Sequence, residues 1–385
     1  MVSQKNLVTC DSQYSCYFFS VLEDLRCALP IINKNDRLSV ADDRRGFHLC
    51  RMNKETPEFL AFEYKERVFS YRCLPFGIPK GPGAFQRSNM AAVSFLRAHG
   101  ITIILYLDDR LIVDPPAPVL PRNSILSMLI ITAAGGMISL SKSFLEGRQK
   151  EKFLGMNLNT TTCEISVPDD KWFKFRELTQ TLLRSNKILV KDLEKLRGKA
   201  ISFLICAPSA RLHIRRMTEK ITRAGRTAEL YVLNDASLRE EFEQWVSFTQ
   251  EDITTIWKKE LMPIRETLLT TADASSFSGG HVVLDRKEAR AGMHTFSEEF
   301  ARKPIAYKEA AAIIRMLLLY PELFRNKELI HFCDNQTVAY AYRNMGSPVP
   351  ELNDLIREIY AILHSLKAKL MMYWCSTTLM AADKV

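Results

Sequence analysis

Tyr106-Leu107-Asp108-Asp109 places two carboxylates side by side between two short apolar, β-branched runs, 101–106 and 111–113. No spare residues separate the runs, so the acids are predicted at or beside the turn of a β-hairpin. Adjacent carboxylates repel each other unless water or cations screen them. Taken alone, the tetrapeptide reads first as a plain acidic turn. A second pair, Asp42-Asp43, follows the stretch 38–41 and precedes Arg44-Arg45-Gly46-Phe47. If both strands enter one sheet, three carboxylates converge. Hard oxygen ligands in such a set suit Mg²⁺. Two such ions about 4 Å apart activate a hydroxyl and stabilise a leaving pyrophosphate.

A further series of acids lies in the last third of the chain. Asp273 stands in Thr271-Ala-Asp-Ala-Ser275 at a strand end, and Glu309 within a helix expected over 306–319. Asp334 follows the strand-like run 329–333. A strand end, a helix and a second strand end are how a fold gathers distant acids around metal ions. The plainer alternatives are an exposed helical Glu309 and an Asp334 that caps the helix opened by Asn335.

The elements that must position these residues fall into three blocks: 1–160 with short strands and helices, 161–267 mostly helical, and 268–385 mixed. In the first, 60–73 alternates as a strand and 74–83 is dense in Gly and Pro, predicting a loop. A helix is expected from Ala84, with Phe85, Ala92, Phe95 and Leu96 inward and Gly100 as its stop. The stretch 124–131 reads as a buried helix. In the second block Leu193, Leu196, Ala200 and Phe203 have helical spacing, and Asp169-Asp170 suits a helix N-terminus. In the third, Leu352, Leu355, Ile356, Ile359, Leu363 and Leu366 form a core stripe after Pro350.

The 385 residues suit two or three domains, and 47% hydrophobic with 25% charged residues is globular composition. No apolar window is long enough for a membrane span, and the first residues carry no apolar signal core. Nine scattered cysteines without a CxxC pair read as reduced thiols, so an intracellular setting is expected, with cytoplasm and nucleus left open. Fifty-three Lys/Arg exceed 44 Asp/Glu, and the excess is local: 171–226 holds fifteen basic residues against four acidic ones. That is the footprint of a polyanion track, or of solvated helix faces.

The order Asp42-x-x-x-Gly46-Phe47, Leu74-Pro-Phe-Gly77 to Pro82-x-x-Phe85, then Tyr106-Leu-Asp-Asp109 resembles motifs A, B and C of a reverse transcriptase. Phe153-Leu154-Gly155 resembles the primer grip of that family, and Leu196-Arg-Gly-Lys199 with 207–211 its thumb or connection. Asp273, Glu309 and Asp334 resemble the acidic series of a ribonuclease H, with Asp383 as the fourth acid. Within the family the chain is most similar to DIRS-type retrotransposons, the tyrosine-recombinase lineage.

The resemblance implies an α+β, multidomain chain: a right-hand polymerase palm with reduced fingers, a helical thumb or connection, then a ribonuclease H-like mixed sheet. It implies two Mg²⁺ per active site, or Mn²⁺, held by Asp42, Asp108 and Asp109 in the first and by Asp273, Glu309 and Asp334 in the second. Phe47 would be the gate against the ribose 2′-hydroxyl, or an ordinary palm phenylalanine. Phe76, Gly77, Tyr106 and Lys142 would lie along the nucleotide site. Phe153, Leu154, Gly155, Arg211, Arg215 and Arg216 would follow the nucleic acid. The implied partners are an RNA template, a DNA primer, their hybrid, deoxynucleoside triphosphates and further domains of a retroelement polyprotein, with no membrane. The competing expectation is a decayed or domesticated relative that binds RNA or hybrid without polymerising.

Overall fold

A computed structural model of the chain describes residues 22–44, 46–52, 60–116, 122–258, 261, 265–285 and 288–379. It divides into two compact units. The first comprises 1–176, 205–207 and 248–262, the second 177–204, 208–247 and 263–385. Among the described residues no helix is long and apolar enough to cross a membrane.

The first unit is built on strands β1 (Arg37–Asp42), β2 (Thr102–Tyr106), β3 (Asp109–Asp114) and β4 (Phe144–Arg148), in the antiparallel order β2-β3-β1-β4. Helices α1 (Gly81–Ala98) and α2 (Arg122–Ala133) pack on it. Ala41, Val93, Leu96, Ile103, Leu105 and Ile112 make the shared core. Burying a side chain of Val, Leu or Ile size contributes about 1.5–3 kcal/mol. A second antiparallel sheet holds β5 (Lys150–Phe153), β6 (Met156–Asn159), β7 (Glu164–Ser166) and β8 (Thr254–Ile256).

Three expectations for this unit need correction. Helix α1 begins at Gly81, inside the predicted loop, because a proline in the first turn loses no helical hydrogen bond. Its inward face carries Phe85, Gln86, Val93 and Leu96, while Phe95 is half exposed. At roughly 100° per residue, Phe95 falls on the opposite side of Phe85 from Val93 and Gln86. Helix α2 turns Ser124, Ser127 and Ile131 inward and leaves Ile125, Leu126 and Leu129 exposed. Small polar side chains let it approach the sheet, and the Ser124 hydroxyl donates to Asp114 Oδ2 at 3.2 Å. The predicted strand 60–73 is a hairpin, Ala61–Tyr64 with Arg67–Ser70, turned at Lys65-Glu66, both at positive φ.

The second unit contains part of α3 (Asp169–Arg184), then α4 (Val190–Ser202), α5 (Arg215–Thr227) and α6 (Ala236–Ser247). Beside them stands a five-stranded sheet of β9 (Thr267–Ala274), β10 (Ser278–Leu284), β11 (Ala289–Thr295), β12 (Glu328–Cys333) and β13 (Lys369–Trp374), in the order β11-β10-β9-β12-β13. The β9–β10–β11 pairs are antiparallel, and β12 and β13 join in parallel. Parallel strands need crossovers, supplied by α7 (Ile305–Leu319), α8 (Gln336–Arg343) and α9 (Pro350–Ser365). The stripe on α9 is buried as predicted, with Leu355 partly so. Asp169-Asp170 form the first turn of α3, and the four-residue helical spacing in α4 buries Leu193, Leu196 and Ala200.

Two candidate metal-binding carboxylate sites

In the first unit, Asp109 is the cross-strand partner of both Asp42 on β1 and Tyr106 on β2. Leu107 and Asp108 are therefore the two loop residues of a tight hairpin, and Leu107 takes a positive φ of 55°. That turn is held from below by Gln86 of α1, which is fully buried. Its Nε2 donates to the Leu105 carbonyl and its Oε1 accepts from the Leu107 N–H, each at 2.8 Å. The Asp43 N–H donates to the Asp108 carbonyl at 2.9 Å, tying the end of β1 to the same turn.

Asp42 is fixed along its own backbone: its N–H donates to Ser143 Oγ at 3.1 Å and its carbonyl accepts from the Ser139 N–H at 2.8 Å. Lys142 stands 3.4 Å from Asp42 Oδ2 with an exposed side chain. Asp109 has its pKa raised to about 6, first by burial and then by the negative charges of Asp108 and Asp42. Lys142 offsets only part of this negative charge, and a divalent cation would offset more. Asp43 points into the sheet's packed side and is bound by Arg110, so it does not add to this cluster.

Phe47 is half-buried, its ring centroid 4.8 Å from Phe85 and 5.1 Å from the exposed Phe76. Gly46 is required beneath it, because a Cβ there would collide with the Phe85 ring. Gly77 has a φ of 90°, open to glycine at no steric cost. Phe153 is buried, and Leu154-Gly155 form the turn between β5 and β6, both at positive φ. Lys171 Nζ donates to the Gly155 carbonyl at 2.9 Å.

In the second unit, Asp273, Glu309 and Asp334 each present a carboxylate oxygen within 4.8 Å of the others. Asp273 sits near the end of β9, Glu309 on the first turns of α7, and Asp334 directly after β12. Asp334 Oδ2 accepts from Thr377 Oγ1, and its carbonyl from Trp374 Nε1, both at 2.8 Å. Glu309 is 3% exposed, and its Oε2 is a buried oxygen with no hydrogen-bond partner. Its pKa is pushed up to about 9, by burial first and then by Asp273 and Asp334. An orphaned carboxylate oxygen facing two further acids fits a hard divalent cation. Asp383 lies outside the described residues.

The basic positions divide. Arg211 is exposed, while Arg215 donates to the carbonyls of Met345 and Ser347 at 3.1–3.3 Å, closing the chain after α8. Arg216 is paired with Asp354 at 2.9 Å and Glu219 at 3.3 Å. A charge count cannot tell such internally used arginines from free ones. Gln86, Arg110 and Asn89 are the positioning residues that sequence reasoning missed. Their only signal was a polar residue at an inward register.

Residues 3–158 match the reverse transcriptase (RNA-dependent DNA polymerase) family. Over 141 residues, 37% of the chain, the sequence is 25% identical to the enzymatic polyprotein of figwort mosaic virus (strain DxS). The chain spans about a fifth of that polyprotein's length (21%). Solved structures similar to the chain include foamy viral protease-reverse transcriptase with an RNA/DNA hybrid, at 19% identity and TM-score 0.46, covering 93% of this chain and 46% of that one. The same viral protein with dsDNA has 19% identity and TM-score 0.47, covering 97% and 72%.

Proposed function

We propose that the chain is an RNA-directed DNA polymerase of a retroelement, of the DIRS type, joined to a ribonuclease H. The palm would occupy 1–160, the thumb or connection 161–267 and the ribonuclease H 268–385. The observation that carries the polymerase reading is the register that sets Asp42 opposite Asp109 beside Asp108, inside the stretch that matches the reverse transcriptase family.

When bound, two Mg²⁺ ions would lower the pKa of a primer 3′-hydroxyl and offset charge on the leaving pyrophosphate. Asp42 and Asp108 would hold them, with Asp109 alongside. The chain's own part is positional. Gln86 fixes the hairpin turn, Ser139 and Ser143 fix the Asp42 backbone, and Lys142 stands where a triphosphate's charge would be met. Phe47, stacked on Phe85, would discriminate against the ribose 2′-hydroxyl. Template, primer and deoxynucleoside triphosphates would be the substrates.

In the ribonuclease H reading, Asp273, Glu309 and Asp334 would hold the ions that activate water against the RNA strand. The acid trio on a mixed five-stranded sheet supports it. Hybrid recognition would rest on duplex shape and 2′-hydroxyls. Two assays on the purified chain test both halves. Template-dependent incorporation with Mg²⁺ is expected, and is lost in Asp108→Asn/Asp109→Asn. Cleavage of the RNA strand in a labelled hybrid is expected, and is lost in Asp334→Asn. Incorporation that is absent, or unchanged in the double variant, would refute the polymerase half. Hybrid cleavage that is absent, or unchanged in Asp334→Asn, would refute the nuclease half.

A further inference from the structure

Asp42 and Asp109, the two candidate metal ligands that lie on strands, are each followed in sequence by a residue of the opposite register, and these two residues meet. Asp43 follows Asp42, and Arg110 follows Asp109. Both side chains are 1% exposed, on the face where Ala41, Leu105 and Ile112 pack against α1. Arg110 binds Asp43 with both terminal nitrogens, Nη2 to Oδ2 at 2.8 Å and Nη1 to Oδ1. The same Nη2 donates to Asn89 Oδ1 of α1 at 3.0 Å. Asn89 is itself fixed, its Nδ2 donating to the Phe85 carbonyl at 3.3 Å.

A fully buried ion pair is a poor means of stabilising a core, since apolar residues of similar volume serve as well or better. What an ion pair with two-pronged geometry provides is direction: a planar guanidinium accepts a carboxylate in one orientation. Here the two ends of that bond are the immediate chain neighbours of Asp42 and Asp109. Arg110 is the cross-strand partner of Ala41, so its bond to Asp43, just past the end of β1, runs diagonally past the Asp42–Asp109 pair. Asp43 is also the residue whose N–H holds the Asp108 carbonyl. Rotation of Asp43 would therefore move all three acids.

We propose that the buried Asp43–Arg110–Asn89 triad is a positioning device that sets the spacing of Asp42, Asp108 and Asp109 for divalent cations. The inference rests on the polymerase reading for its catalytic consequence, but its geometric content is the affinity of the cluster for a cation. Arg110 and Asp43 are positioning residues, acting through their neighbours and touching no substrate.

The test compares wild type with Asp43→Leu/Arg110→Met, which replaces the pair by apolar side chains, and with Asp43→Asn alone. Mn²⁺ binding is followed by electron paramagnetic resonance in an Asp334→Asn background, which removes the second acidic site. Thermal midpoints are measured without metal, and primer extension with Mg²⁺. The double variant is expected to keep a thermal midpoint at or above wild type while its Mn²⁺ affinity falls about tenfold or more. Its kcat for extension is expected to fall on the order of 100-fold, the scale of a misplacement of about 1 Å, with KM for the nucleotide unchanged. A double variant that folds and binds Mn²⁺ like wild type would overturn the inference, whatever its extension rate. If the double variant does not fold, Asp43→Asn decides by the same Mn²⁺ measurement. A wild type that binds Mn²⁺ but extends no primer would refute the polymerase reading while leaving the positioning inference standing on the binding result.

Discussion

Asp42 and Asp109 are direct partners across an antiparallel pair, and the charge of Asp42 helps hold Asp109 at a pKa of about 6. A carboxyl raised in the folded state costs stability as pH climbs from its unfolded value of 3.8 through 6. Removing the Asp109 carboxyl should therefore stabilise the cation-free protein at pH 7 and do nothing near pH 3. Because Asp109 is only half-buried, the gain from Asp109→Asn is about 1–2 kcal/mol after solvent screening. Thermal midpoints at the two pH values check this. Equal shifts at both would contradict it.

Glu309, with its pKa pushed up to about 9, is protonated at pH 7.5 in the absence of a cation. Divalent cations bind the carboxylate, so loading the second site must expel that proton. Calorimetric titration in buffers of different ionisation enthalpy is expected to show release of about one proton per Glu309 site at pH 7.5, lost in Glu309→Gln. Binding without proton release would mean that Glu309 is not a ligand.

Gln86 satisfies two backbone groups of the hairpin turn from a fully buried position. Gln86→Met keeps the volume but strands both groups. The expected loss is about 1–3 kcal/mol per unsatisfied group, with extension activity falling more steeply than stability accounts for. A variant as active and as stable as wild type would show that the turn holds its shape unaided.

Glu241, from α6, caps α5 by accepting the N–H groups of Arg216 and Met217 at 2.9 and 2.8 Å. Burial is the first cause of its pKa of about 7. Raised from 4.5, it lets stability decline as pH rises from 4.5 to 7 and level off above. Glu241→Gln should flatten that slope, at a maximum of about 3 kcal/mol, in denaturation curves taken across this range.

The hairpin was legible in the sequence because no spare residues separate its β-branched runs. The α9 stripe was legible because six apolar residues kept one helical face. The start of α1 was obscured because Gly81-Pro82-Gly83 has the composition of a loop, though a first helical turn tolerates it. The inward serines of α2 depend on a bond to Asp114 that periodicity does not encode. Arg110 finds Asp43 67 residues away, and Arg216 finds Asp354 138 away. Pairings at such separation are set by tertiary packing, which a count of charges along the chain does not register.

The central claim is that Asp42 and Asp108 hold the ions of a template-directed polymerase. The most direct test is extension of a DNA primer on an RNA template by the purified chain with Mg²⁺, comparing wild type with Asp42→Asn and Asp108→Asn. The account predicts template-matched extension by wild type and background levels in each variant, with their folds intact by circular dichroism. Extension that persists unchanged in either variant, or is missing from a folded wild type that binds the template-primer, would contradict it.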